Sequence, residues 1–363
     1  MLTPVNNAIH RRQSAGKAGP MSKVTMQMIA DAAGVSRITV WKVFNKRAGV
    51  SQAVIGRVNS LAQSMGYEFP NRLPPSPAGR TFSVVVSRPD SAMFWMQIIH
   101  NAAKELAKNG INLLYTYMPS NWYKDYQLPA VLTDDTVEAL LILNIYDPKL
   151  HRMLADLPLP KVFFDAVPSG EKETLRAPSS DVTLLEGRAA VRGITSAILA
   201  GTHEPVGFIG DIRYALTNLD RWQGFQDAFA IHGRKADPAL CLTGPIGLQT
   251  HEKEIYGFLD GLQVFPRAIV CASDFIADFV RRYLNTAKRA VPEGFILTGF
   301  DNSQEYYSVA GRITTVEVQT ASLGQALAHK LMFRALYPAA PNEVTYIATK
   351  VIWRDGLEPE KEA

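Results

Sequence analysis

The stretch Thr25–Asn45, TMQMIADAAGVSRITVWKVFN, constrains what this chain can be more than any other. Its apolar residues run with helical period on either side of a break at Gly34. Thr25 can cap a first helix whose apolar stripe is Ile29, Ala30 and Ala33, and Gly34 suits the left-handed position at which a helix ends. Ser36 can cap a second helix, in which Val40, Val43 and Phe44 form one face while Arg37, Ile38, Trp41, Lys42 and Asn45 gather on the other. Two short helices, a tight turn and an exposed face of cations and an amide describe a helix-turn-helix able to enter a DNA major groove. Ser51 then starts a third helix, with Val54, Val58, Leu61, Ala62 and Met65 turned inward and Gly66 as its stop.

Charge is distributed to match. The net charge is only +4, yet residues 1–80 carry eleven Lys/Arg against Asp31 and Glu68, and the remainder carries 27 against 32. A basic head on an acidic body suits a polyanion-binding module joined to a part with another task. At 363 residues, 47% of them hydrophobic, the chain has material for two or three compact units. No apolar run is long enough to span a membrane, and residues 1–23 lack the apolar segment of a secretory signal. Cys241 and Cys271 have no metal-ligand spacing and suggest a reducing, cytoplasmic setting; no metal or cofactor is expected.

Residues 1–22 lack periodicity and read as an unstructured extension before a head at 23–68. Residues 69–80, FPNRLPPSPAGR, are too rich in proline for a helix and read as an extended, semi-rigid linker. From Thr81 strands and helices alternate. The expected strands are Phe82–Ser87, Ile111–Tyr117, Glu138–Leu143, Val162–Phe164, Val206–Ile209, Ala268–Cys271 and Phe295–Thr298, with two more near 344–347 and 351–353. The expected helices are Met93–Asn109, Leu184–Ala200, Asp220–His232, His251–Leu259, Asp274–Asn285 and Leu323–Leu336. Such alternation implies parallel sheets covered by helices, and the length implies two similar α/β lobes. Ligands of such folds bind beyond the carboxyl ends of strands and between lobes.

The head resembles that of the lactose-repressor/galactose-repressor (LacI/GalR) family of bacterial transcription regulators. The body carries matching segments in order: Val162-Phe163-Phe164-Asp165, Arg221-Trp222-Gln223-Gly224-Phe225, Ala272-Ser273-Asp274, Thr298-Gly299-Phe300-Asp301, Ile313-Thr314-Thr315-Val316 and Leu323-Gly324. The resemblance covers about residues 23–355. It implies a periplasmic-binding-protein-like body of two doubly wound lobes, a homodimer and sometimes a tetramer, and a small-molecule effector, a sugar or related metabolite, whose presence in the cleft changes the fit of paired heads to a pseudo-palindromic operator. It implies a body over 81–355, with lobe 1 at 81–180 and 318–347, lobe 2 at 181–317 and 348–355, and a tail at 356–363.

The same resemblance assigns candidate residues. Arg37, Ile38 and Trp41 occupy base-reading positions, and Arg37 can donate two hydrogen bonds to guanine. Lys42 and Asn45 suit a phosphate or base edge; Thr25, Ser36 and Thr39 suit phosphates, which fix register without reading sequence. Asp165, Arg221 and Asp301 carry over as effector-binding, with Ser273 standing where the family has Asn, and Phe94 and Trp95 following the first strand as pocket-lining candidates that are equally readable as helix core. Tyr115, Tyr117, Trp122, Tyr123 and Tyr126 form an aromatic patch better read as core packing and subunit contact than as a sugar platform.

The hinge departs from the family. Asn71-Arg72 match the start of its hinge helix, but Pro77 stands where a leucine enters the minor groove, and Pro74, Pro75 and Pro77 oppose a helix. The expectation is a smaller DNA bend, or an apolar contact from Leu73 instead. There is no phosphate loop, no Gly-x-Ser-x-Gly, and His251-Glu252 lacks the second His of a zinc helix. The expected function is therefore an effector-responsive regulator, most simply a repressor and not an enzyme. The alternatives are a cytosolic sugar-binding protein and a sugar-modifying enzyme on the same α/β body.

Overall fold

The computed structural model describes residues 24–44, 49–67, 80–87, 92–168, 171–247, 249–286 and 290–358. Head and body are separate units. The head is three helices, α1 (Met26–Ala33), α2 (Arg37–Phe44) and α3 (Gln52–Ser64). Each starts where a side-chain oxygen answers an orphan N–H: the Met28 N–H donates to Thr25 Oγ1, Thr39 N–H to Ser36 Oγ, and Val54 N–H to Ser51 Oγ. Gly34, at φ 65°, ends α1 in the left-handed region. Ile29, Ala30, Ala33, Val40, Val43, Val58 and Ala62 bury together, and Phe44 stacks on Tyr67 at 5.3 Å.

The body begins with β1 (Arg80–Val86), α4 (Ala92–Ala107), β2 (Ile111–Tyr117), β3 (Leu140–Leu143), α5 (Pro148–Ala155), β4 (Lys161–Phe164), α6 (Glu171–Arg176) and β5 (Ser180–Leu185). A second series follows: α7 (Arg188–Gly201), β6 (Val206–Ile209), α8 (Leu216–Ile231), β7 (Cys241–Leu242), α9 (His251–Gly261), β8 (Ala268–Cys271), α10 (Asp274–Thr286) and β9 (Ile296–Thr298). The chain closes with β10 (Thr315–Glu317), α11 (Thr320–Leu336), β11 (Val344–Ile347) and β12 (Lys350–Ile352). The first lobe is a parallel six-stranded sheet in the order β11-β5-β4-β3-β1-β2. The second is a parallel four-stranded sheet in the order β7-β6-β8-β9. The chain crosses between lobes after β5, after β10 and after β11, and β10 pairs antiparallel with β12 beside the crossings.

One expected helix needs correction. Residues Leu184 and Leu185 do not begin a helix; they end β5, and α7 starts at Arg188. The run Ser180–Leu185 is buried on both faces, the signature of a central parallel strand, and such a run lacks the alternation that marks a half-exposed one. The first lobe's sheet therefore continues past residue 180. At the other end, Leu357 is buried, so the body reaches beyond 355. Helices α5 and α6 fall in a stretch where no helix is expected, although Asp147 before Pro148 is a sound start signal; its carboxylate accepts from the Lys149 and Leu150 N–H groups.

A buried ion pair fastens β5 to α11. Arg334 and Asp181 are both fully buried, with Arg334 Nε donating to Asp181 Oδ2 at 3.0 Å. The same guanidinium donates to the carbonyls of Ala340 and Pro341 at 2.6 and 2.8 Å. It thereby fixes the loop that returns α11 to the sheet edge.

Candidate functional site

On the head, Arg37 and Ile38 are exposed at the start of α2, Ile38 at 68% of its surface. Thr39 and Lys42 are half-buried. The hydroxyls of Thr25 and Ser36 serve as helix caps, and Ser36 also shares a hydrogen bond with Thr39 at 2.9 Å, so these hydroxyls have structural duties besides any toward phosphate. The Trp41 side chain, Asn45, Asn71, Arg72 and Leu73 lie outside the described residues, as does the hinge to residue 79.

In the body, a cleft of about 930 Å³, open to solvent, lies between the lobes. Phe94, Trp95, Asp165, Arg221, Ser273 and Asp301 all line it. The fold gathers them because each sheet is parallel and its strands end at the cleft: Asp165, Ser273 and Asp301 each follow the carboxyl end of a strand. Trp95 is 92% covered and packs edge-on against Phe164 at 5.8 Å, so it serves the core and the cleft wall together. The patch at Tyr115, Tyr117 and Tyr123 is exposed on the surface, and Trp122 and Tyr126 pack against the first lobe's core.

Asp165 is buried and heavily used. Its carboxylate accepts from the Ala166 N–H (2.8 Å), the Thr217 N–H (3.3 Å), the Thr217 hydroxyl (2.6 Å) and the Tyr146 hydroxyl (3.1 Å). Burial raises its pKa above the usual value, and the bonds from Thr217 oppose that rise. Since β4 belongs to the first lobe and α8 to the second, Asp165 spans the cleft. Tyr146 and Tyr214 also face each other across it, ring centres 4.4 Å apart.

Asp301 is the opposite case. Its carboxylate accepts no hydrogen bond among the described residues, and burial pushes its pKa up to about 7, with Arg221 opposing and Asp274 adding to the shift. It sits at φ 106°, followed by Asn302 at φ 49°, a sharp turn at the cleft's edge. Arg221 sits over Phe300, its guanidinium carbon 3.6 Å from the ring centre, and donates from Nη1 to the Ala272 carbonyl at 2.6 Å. Its Nε is buried without a partner, leaving donor capacity near the cleft. Ser273 Oγ accepts from the Ile276 N–H at 3.2 Å as the cap of α10, so its oxygen is partly committed. Asp274 faces away, accepting from the Thr315 hydroxyl (2.7 Å) and the Ser303 N–H (2.8 Å), and burial raises its pKa to about 6.

Two glycines of the family-like segments have steric reasons. A Cβ on Gly299 would lie 2.1 Å from Asp274 Oδ1, and one on Gly224 would lie 2.2 Å from the Arg188 carbonyl oxygen. Neither site tolerates a side chain without moving α10 or separating α8 from α7.

The cleft also takes Asn144, Tyr146, Asp211, Tyr214, Thr217 and Phe275, which no sequence motif marks, and His251, which the sequence offers only as a histidine without a zinc partner. Thr217 could have been found, since it stands one helical turn before Arg221 on α8. His251 lines the cleft from the start of α9, its ring edge-on to Phe275 at 4.9 Å. Among the described residues, no cluster of three or more His, Cys, Asp or Glu is placed to hold a metal ion, and no helix is long and apolar enough to cross a membrane.

Residues 25–71 match the pattern of bacterial regulatory proteins of the lacI family, and residues 196–356 match a periplasmic binding protein-like domain. The chain thus joins a lacI-family DNA-binding head to a periplasmic binding protein-like domain. The HTH-type transcriptional regulator CelR of Thermobifida fusca is 25% identical over 322 residues, covering 85% of this chain and 91% of that one. Among solved structures, a CelR–cellobiose complex shares the fold with a TM-score of 0.65 at 22% identity, covering 92% of this chain and 99% of that one. A lac repressor dimer bound to operator and the anti-inducer ONPF gives 0.60 at 17% identity, with the same coverage of 92% and 99%. With a lacI-family helix-turn-helix head and a two-lobed, periplasmic-binding-protein-like body, the chain is a DNA-binding transcriptional regulator.

Proposed function

We propose that this regulator is a repressor that binds a pseudo-palindromic operator as a homodimer, and that a sugar or related hydroxyl-rich metabolite in the cleft controls that binding. The observation that carries the reading is the unanswered Asp301 carboxylate, set beside the Arg221 guanidinium in a cleft walled by Phe94, Trp95, Tyr146, Phe164, Tyr214 and Phe275. A carboxylate and a guanidinium orient hydroxyls by charge-assisted hydrogen bonds, and aromatic faces pack on the apolar faces of a sugar ring. Asp165 contributes by linking the two walls through Thr217. On the head, exposed Arg37 and Ile38 supply a guanine reader and an apolar contact to a base.

The paired state is supported by the edge of the first lobe. Strand β2 ends the six-stranded sheet, and Leu114, Tyr115 and Tyr117 on it are exposed, as are Met93 and Met96 on α4. An apolar surface of this kind is suited to a second copy. The proline-rich linker is read as remaining non-helical on DNA, with Leu73 as the apolar contact at the operator centre.

The test has three parts. Genome-wide mapping of bound DNA identifies the operator, calorimetry screens mono- and disaccharides, beginning with the cellobiose carried by the solved relative, and anisotropy measures operator release. One sugar is expected to bind wild type, to shift operator affinity, and to do neither with Asp301→Ala. Asymmetric operator sites would sink the paired-head reading, and turnover of the bound sugar would favour the enzyme. A helix at 71–79 in an operator complex would refute the linker reading.

A further inference from the structure

The first turn of a helix presents N–H groups without intrahelical partners, and the helix start carries partial positive charge. Two helices begin at the cleft, α4 in the first lobe and α8 in the second. Helix α8 has no cap of its own, because the residue before it is Ala215, which has no side-chain oxygen. The cap comes from the other lobe: the N–H of Thr217, second residue of α8, donates to Asp165 Oδ1 at 3.3 Å. Helix α4 likewise meets a carboxylate of the other lobe at its first turn. The N–H of Met93, second residue of α4, donates to Glu305 Oε2 at 3.3 Å, and Glu305 belongs to the second lobe.

Glu305 sits on a braced loop. Its own N–H donates to Ser303 Oγ at 3.2 Å, the Ser303 N–H donates to Asp274 at 2.8 Å, and the Ser308 hydroxyl donates to Asp278 at 2.6 Å. Tyr306 packs against Phe275 at 5.6 Å. The carboxylate therefore moves with the second lobe. The same loop starts at Asp301, the ligand-facing residue.

We propose that Glu305 and Asp165 form a reciprocal latch, each lobe capping the cleft-side helix of the other, and that the two caps break and form as one event when the lobes rotate about their three crossings. A hinge motion that widens the cleft separates both pairs at once, whereas local fraying separates only one. Glu305 is a positioning residue in this scheme. It ties the loop that carries Asp301 to α4, the helix that carries Phe94 and Trp95. The latch goes beyond the proposed function and stands whether or not the ligand is a sugar.

Hydrogen exchange on the full chain, resolved to peptides, tests it without ligand or DNA. Removing one helix cap changes local stability enough to raise exchange about threefold or more. Glu305→Ala is expected to raise exchange that much at residues 93–96 and also at 216–219. Asp165→Ala, which removes the acceptor of the α8 cap, is expected to raise it at both places too, while Glu305→Gln and Asp165→Asn, which keep an acceptor oxygen, recover most of the protection. A rise confined to the helix whose own cap was removed would overturn the latch and leave two independent caps. No rise at either helix in Glu305→Ala, with unchanged circular dichroism showing a folded body, would overturn it as well.

Discussion

The hydroxyl of Thr217 donates to the carboxylate of Asp165 at 2.6 Å, joining the second lobe to the first. Both residues are buried, and the Tyr146 hydroxyl is the other donor to the same oxygen. Replacing Thr217 by Val keeps the shape and removes the donor, so a buried carboxylate loses its shortest bond. The expected cost is about 1–3 kcal/mol of body stability. Thr217→Ser is expected to restore most of it. Urea denaturation followed by far-ultraviolet circular dichroism measures both, and equal stability of Val and Ser variants would show that the hydroxyl contributes nothing.

Asp301 gives a pH signature. Its folded pKa of about 7 lies above the ordinary 3.8, so between these values the folded chain holds a proton that the unfolded chain has released. Stability then falls as pH rises through that window, and the loss is complete above about pH 7. Asp274, raised to about 6, contributes in the same direction over a narrower range. Asp301→Asn removes the first contribution. Thermal melts between pH 5 and 8 should show wild type losing stability relative to Asp301→Asn as pH rises, with most of the difference appearing by about pH 7. Parallel curves would show that Asp301 titrates at its ordinary value.

Much of this was legible in the sequence because it rests on local chemistry. Thr25, Gly34, Ser36, Ser51 and Gly66 mark helix ends by side-chain oxygen or positive φ, and those are properties of single residues. The six cleft residues were legible only through resemblance, since β4, α8, β8 and β9 are far apart in sequence and meet only when the sheets form. What stayed hidden depends on partners. Asp181 looks like an error within a strand until Arg334 arrives from α11. Tyr146 and Tyr214 are ordinary loop tyrosines until the lobes face each other. Glu305 is one surface carboxylate among many until the start of α4 lies beside it.

Arg334 and Asp181 provide a stability test remote from the cleft. Arg334→Met leaves a buried carboxylate without its cation and frees the carbonyls of Ala340 and Pro341. Breaking such a pair from one side costs about 3–5 kcal/mol. Adding Asp181→Val removes the stranded charge and should recover part of that, though not all, because the two carbonyls remain unanswered. Denaturant midpoints of the single and double variants decide the matter. A double variant no more stable than the single would show that the loop contacts, not the charge pair, hold this region.

The head offers a test of sequence reading. Arg37 is exposed at the start of α2, where a guanidinium can take guanine O6 and N7 together. Arg37→Ala should lose about 1–3 kcal/mol of discrimination at one base pair in each half-site and leave the other positions unchanged. Lys42, half-buried farther along the helix, should behave differently. If it touches a phosphate, Lys42→Gln weakens all sequences alike and reduces the salt slope by about 0.9 for each phosphate released. Anisotropy titrations on operator variants at several salt concentrations separate the two roles. Uniform weakening by Arg37→Ala would make it a backbone contact and move base reading to Ile38 and its neighbours.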